Sequence, residues 1–313
     1  MGAQYGYNTN STKTWLLVQP DLLEKANKLF GATGVQITTE GVKYLGSAIG
    51  KRAYVESFLD LKVKEWRKEL ERLSAFAKTE PHAAFTALTH GLRSKYTYIL
   101  RTLPVSQEVV SELDALLEMQ FLPSLTGRSG FPADELSLLK LPARLGGIGL
   151  PSFTTIADTQ LAAAKAMTQA QVVEIQEQNN PHEVPPFQKV HRSAVLAKKA
   201  HAKQRKKSES EVLSSLLTES SLDSRQVKLL LAKGVSAWLT VLPLKEHGFW
   251  LSKRDFRDAL ALRYNWTLEA VPMACVCGEP FSPDHVRSVG TPPSDTTHCE
   301  ILLAISCQMC VTT

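Results

Sequence analysis

Apolar positions recur at helical spacing through most of this chain. From Lys51 onward, Phe58, Leu61, Val63, Trp66, Leu70, Leu73 and Phe76 trace one broad apolar face with Lys/Glu pairs elsewhere, which predicts a long amphipathic helix. Pro81 opens a second helix running to about Leu103, where Pro104 breaks it. Ser106 caps a third, carrying Val109, Leu113, Leu116, Leu117 and Phe121. Leu141 to Pro151 is a compact glycine-rich turn, and the alanine-rich stretch from Ser152 to about Gln178 is helical again. The first 50 residues read differently. Residues 14–19 form a short buried strand, and Pro20-Asp21 opens a helix through about Phe30 that exits between Gly31 and Gly34. Two further strands flank a hairpin turn at Glu40-Gly41. A sheet of so few strands lacks neighbours.

This pattern divides the chain into a small mixed α/β piece (1–50), a helical bundle (51–178), a linker with a basic helix (179–226), a small unit around Trp238, Phe249, Trp250, Phe256 and Trp266 (227–286) and a tail (287–313) expected to be poorly ordered. The fold class is mainly α, and no period of 20–50 residues signals repeats.

Composition adds limits. A hydrophobic content of 43% with 21% charged residues suits a globular protein with a sizeable core. No stretch of 18 apolar residues occurs, so no membrane span is expected. The start has neither a basic n-region nor an apolar h-region, so an intracellular protein, nuclear or cytoplasmic and not secreted, is expected. All five cysteines fall between Cys275 and Cys310, which argues against a disulfide scaffold and for a local metal site or a reduced protein.

The net charge of +5 matters mainly through its placement. Residues 189–207 hold Lys189, Arg192, Lys198, Lys199, Lys203, Arg205, Lys206 and Lys207 without one acid. At helical spacing these charges surround the helix, with no aromatics interleaved for base stacking. A solvated charged helix and a phosphate-tracking arm both fit the run; the second would bind RNA, DNA or an RNA–DNA hybrid by charge alone. Cys275-Val-Cys277-Gly followed by His285 has three thiolate and imidazole donors of a zinc knuckle, and His298 and Cys299 are the nearest candidates for the fourth. Zinc is therefore the one cofactor with candidate ligands, and two free thiols are the alternative. No Gly-x-Ser-x-Gly elbow, His-Glu-x-x-His or Walker loop occurs. Gly146-Gly147-Ile-Gly149 follows no strand of a βαβ unit and reads as a tight turn, not a phosphate cradle. His82, His90 and Asp60 read as ordinary surface or satisfied core residues, and Asp255 and Asp258 as helix-face partners of Arg254 and Arg257.

Several segments together resemble a family. Tyr5-Gly-Tyr-Asn-Thr-Asn-Ser-Thr-Lys-Thr-Trp-Leu-Leu-Val18 is similar to the segment that follows the catalytic Asp-Asp of reverse transcriptases. Gly34 to Gly50, with Tyr44-Leu45-Gly46, resembles the primer-grip hairpin. Leu141-Pro-Ala-Arg-Leu-Gly-Gly-Ile-Gly149 resembles a motif after the thumb in polyproteins of non-LTR-type retrotransposons. Trp238-Leu-Thr-Val-Leu-Pro-Leu, His247-Gly-Phe, Phe256 to Tyr264 and the Cys-x-Cys-Gly…His resemble the lead-in to their restriction-like endonuclease.

The resemblance implies a palm remnant and primer-grip hairpin in 1–50, a thumb-like bundle in 51–178 and a small Cys/His unit near the end. It implies a fragment of an RNA-directed DNA polymerase whose metal-binding aspartates would lie before Met1, hence no catalysis by this chain and residual nucleic-acid binding. By the same resemblance Lys13 would sit near the incoming nucleotide and Tyr44, Leu45 and Gly46 in the primer grip. The tail departs from the family. One codon choice for Ser294 to Ile301, read two nucleotides later, spells Arg-His-Asn-Thr-Leu-Arg-Asp, a family element, so a frameshift between about His285 and Ser294 is expected. The competing expectations are a stand-alone nucleic-acid-binding protein with a small zinc site, and a helical interaction scaffold.

Overall fold

The computed structural model describes residues 10–177, 187–219 and 236–268. The protein is mainly α. Cys275, Cys277 and His285, like the tail, lie outside the described residues.

The α/β piece starts with a 3-10 turn at Ser11–Lys13, then strand β1 (Trp15–Leu17), helix α1 (Leu23–Phe30) and strand β2 (Gln36–Thr38), which pairs parallel with β1. Strands β3 (Gly41–Tyr44) and β4 (Ser47–Gly50) form a separate antiparallel hairpin. The hairpin turn is Leu45-Gly46, not Glu40-Gly41 as the sequence suggests. Leu45 (φ 48°) and Gly46 (φ 83°) both lie in the left-handed region, the geometry that matches strand twist in a two-residue hairpin. Gly41 instead begins β3 under the Tyr54 ring, where a Cβ would come within 2.3 Å of it. β1 is also not buried: Trp15 is 47% exposed. A parallel pair is normally covered on both faces, and here Leu17, Leu22, Leu29 and Phe30 stay exposed as well.

Helix α2 (Arg52–Ala77) buries Leu59, Val63, Trp66, Leu70, Leu73 and Ala77, spaced by three and four residues throughout. Leu61 and Phe76, expected on this face, are exposed. The second helix runs as α3 (Pro81–Thr86) and α4 (Arg93–Thr102), joined by a π turn over Ala87–Leu92. Likewise α5 (Gln107–Leu116) reaches α6 (Leu122–Thr126) through a π turn over Leu117–Phe121. Pro123 accounts for the second widening, because it has no N–H to give the carbonyl four residues back. α7 (Ala133–Lys140), α8 (Phe153–Glu177), α9 (Phe187–Glu219) and α10 (Lys253–Tyr264) complete the described helices.

The turn between α7 and α8 spends its amides on itself: Ile148 N–H and Leu150 N–H bond to Leu139 O, and Gly149 N–H to Leu141 O. Gly147 is pressed against Leu138 and Leu141, where a Cβ would lie 1.9 Å from the Leu141 oxygen. The turn is thus a packing device. One apolar core runs from Ala48 through α2–α8 to Phe256, Leu260 and Tyr264 of α10.

Candidate nucleic-acid interface

α9 contains neither glycine nor proline and is rich in Lys, Ala and Leu, so its 33 residues favour an unbroken helix. It packs on α8 and α7. Leu216 is buried, and Leu213 and Leu217 pack on the core, so the serine-rich end of this helix is anchored while its serines face outward. Burying a leucine like Leu216 contributes about 1.5–3 kcal/mol.

Ala194, Val195, Ala197 and Ala202 are half-buried, whereas Arg192, Lys198, Lys199, Lys203, Arg205, Lys206 and Lys207 are all exposed. Arg192, Lys199, Lys203 and Lys206 follow at spacings of seven, four and three, which is one helix face. Fourteen steps of 1.5 Å make this row roughly 21 Å long. Lys198 and Arg205 are exposed on a different side of the helix, so the cations are spread round it, with these four as one row. Lys189 lies in the first turn of α9. Arg205 and Lys207 pair with Glu209 (3.5 Å) and Glu211 (3.7 Å) on the next turn. Arg192, Lys198, Lys199, Lys203 and Lys206 have no ion pair among the described residues.

Two arginines that the sequence did not single out stand beside this helix. Arg144, in the glycine-rich turn, also binds Glu209. Arg93 of α4 has its pKa lowered by desolvation first and by the neighbouring Arg205 second, with Glu209 opposing. Arg144 and Arg205 thus share the Glu209 carboxylate, and Arg93 lies close enough to feel the charges of Arg205 and Glu209. Nothing in the spacing of Arg93 and Arg144 could have revealed this, because α8 and α9 create the neighbourhood.

The other residues of interest lie elsewhere. Lys13 is exposed at the end of its 3-10 turn. Tyr44 (57%) and Leu45 (76%) form the exposed hairpin tip, held to α4 by the Tyr98 hydroxyl donating to the Leu45 carbonyl. Ser47 and Thr102 hydroxyls bond beside it at 2.9 Å. The hairpin therefore docks on α4 and the basic helix on α8 and α7. His90 bonds Thr89, and His82 is a buried core residue. Asp255 closes a capping box with Ser252, and Asp258 pairs with Arg254 at 3.6 Å, while Arg257 reaches the Ser124 and Leu125 carbonyls. The expected partnering of these acids thus holds for Asp258 and not for Asp255.

Among the described residues no group of three or more His, Cys, Asp or Glu is placed to hold a metal ion. No described helix is long and apolar enough to cross a membrane. No protein-family model, curated protein or solved structure matches the chain.

Proposed function

We propose that this chain binds nucleic acid through the outer face of α9, as a non-catalytic part of a retrotransposon reverse-transcriptase polyprotein. The observation that carries the binding is the set of exposed cations on α9, among them the row Arg192, Lys199, Lys203 and Lys206, none of the four with an ion pair among the described residues. Such cations displace condensed counterions from phosphates, which gives affinity without sequence preference. The reverse-transcriptase reading rests on the order of resembling segments along the chain, from Lys13 through Tyr44-Leu45-Gly46 to the Cys275, Cys277 and His285 pattern.

Titration of labelled RNA, DNA and hybrid duplexes at several salt concentrations tests it. Five uncommitted cations give a log–log slope with salt of up to about −4.5 on duplex DNA. Replacing Arg192, Lys199, Lys203 and Lys206 together with Glu should abolish binding and leave the helical circular dichroism intact. Salt-insensitive binding, or full binding by the variant, overturns the proposal and favours a helical interaction scaffold. Nucleotide incorporation on a primed template by the purified chain would overturn the non-catalytic part.

A further inference from the structure

The start of α10 faces the loop that leaves α6, and together they enclose a cleft of about 980 Å³. The loop contributes Arg128 and Ser129; the helix contributes Lys253, Arg254 and Arg257, and among the described lining residues the carboxylate is Asp258. A cleft of this size suits a ligand of nucleotide dimensions.

The acids around it serve the walls. Asp258 is 4% exposed and pairs with Arg254. Asp255 accepts from the Ser252 hydroxyl at 2.6 Å in the capping box. Glu135 accepts from Arg128 at 2.6 Å and from the Trp266 indole. Arg128 in turn lies over the Trp266 and Phe131 rings, 5.1 Å from each centroid. Arg257 ties the two walls by donating to the Ser124 (2.8 Å) and Leu125 (3.2 Å) carbonyls at the end of α6. It can do so because Gly127, at φ +79°, has no Cβ; one would sit 2.9 Å from the guanidinium. The cations are therefore positioned before any ligand arrives, which reduces the ordering cost of binding. Lys253, at the first position of α10, is exposed and has no ion pair among the described residues.

We infer that this cleft is a binding site for the phosphate group of a nucleotide, separate from the α9 face. Lys253 supplies a mobile point charge, Arg128, Arg254 and Arg257 supply the fixed guanidinium groups, and the Ser129 hydroxyl donates from the loop.

Lys253→Glu and Ser129→Asp test it in the full chain, one from each wall. Glu at the first position of a helix favours the helix, so the first variant keeps its fold. Isothermal titration uses three probes too short to need α9: inorganic phosphate, a nucleoside monophosphate and a 5′-phosphorylated trinucleotide, with the dephosphorylated trinucleotide as control. The expected result is binding of the phosphorylated trinucleotide only, or of it and the monophosphate, weakened about tenfold or more by either variant. It should survive the four-fold Glu substitution on α9. Equal binding by wild type and both variants, equal binding of the dephosphorylated control, or no heat with any probe at about 10 mM overturns the site. A chain that binds long RNA through α9 but fails these titrations overturns this inference alone.

Discussion

His82 is a residue whose chemistry depends on where the chain puts it. Its ring is 3% exposed, stacks on Phe256 at 5.1 Å, and accepts the Leu251 N–H through Nδ1 at 3.2 Å. Desolvation holds its pKa at about 4, below the ordinary 6.5. Protonation would set an N–H against the Leu251 N–H, so the folded chain favours the neutral ring. The stabilisation is complete above about pH 6.5, where both states are neutral, and is lost as pH falls towards about 4, because the unfolded chain takes up the proton first. The shift corresponds to roughly 3 kcal/mol. Urea midpoints at several pH values between these limits should fall with acid, and His82→Gln should flatten the profile; parallel profiles would refute the assignment. The sequence marked His82 as an ordinary surface or satisfied core residue; that it is buried, and its partner 169 residues away, came from the fold.

At the scale of elements, capping comes from a distance. Asp114 of α5 accepts the N–H groups of Phe153 (2.6 Å) and Thr154 (3.1 Å) and the Thr154 hydroxyl (2.8 Å). It therefore does for α8 what a local N-cap does elsewhere, satisfying first-turn amides that have no partner within the helix. Asp114→Ala should destabilise the protein by about 2–3 kcal/mol, measured by chemical denaturation, since buried donors lose their acceptor. Asp114→Asn should cost less, because one carbonyl oxygen remains. An equal loss in both variants would assign the effect to packing. The sequence marks Ser152 as the start of α8, yet the acceptor lies on another helix. The same limit applies to α9: its charges were countable, but which side faces water depends on α8 and α7.

Within the described residues, one core joins α10 to the helices from α2 to α8. Phe256 of α10 is fully buried and touches the rings of Phe85 (5.9 Å) and Trp238 (5.8 Å) as well as His82. The Tyr264 hydroxyl donates to Gly146 O at 2.8 Å, joining α10 to the glycine-rich turn. Phe256→Ala should cost about 3–5 kcal/mol. It should lower a single transition seen alike by tryptophan fluorescence and far-ultraviolet circular dichroism. Loss of fluorescence before helicity would show instead that residues 236–268 melt alone.

The sequence by itself determined the helical character, most helix limits and the basic run, because these follow from short-range sterics, propensity and the 3.6-residue period. Pro81, Pro104 and the α2 stripe are local facts. Tertiary structure alone decided that α9 packs on α8 and α7, that β1 stays exposed, that the hairpin turns at Leu45-Gly46, and that Arg128 and Lys253 line one cleft. Each depends on contacts between residues far apart in the chain, and a linear pattern carries no information on which of its surfaces will meet.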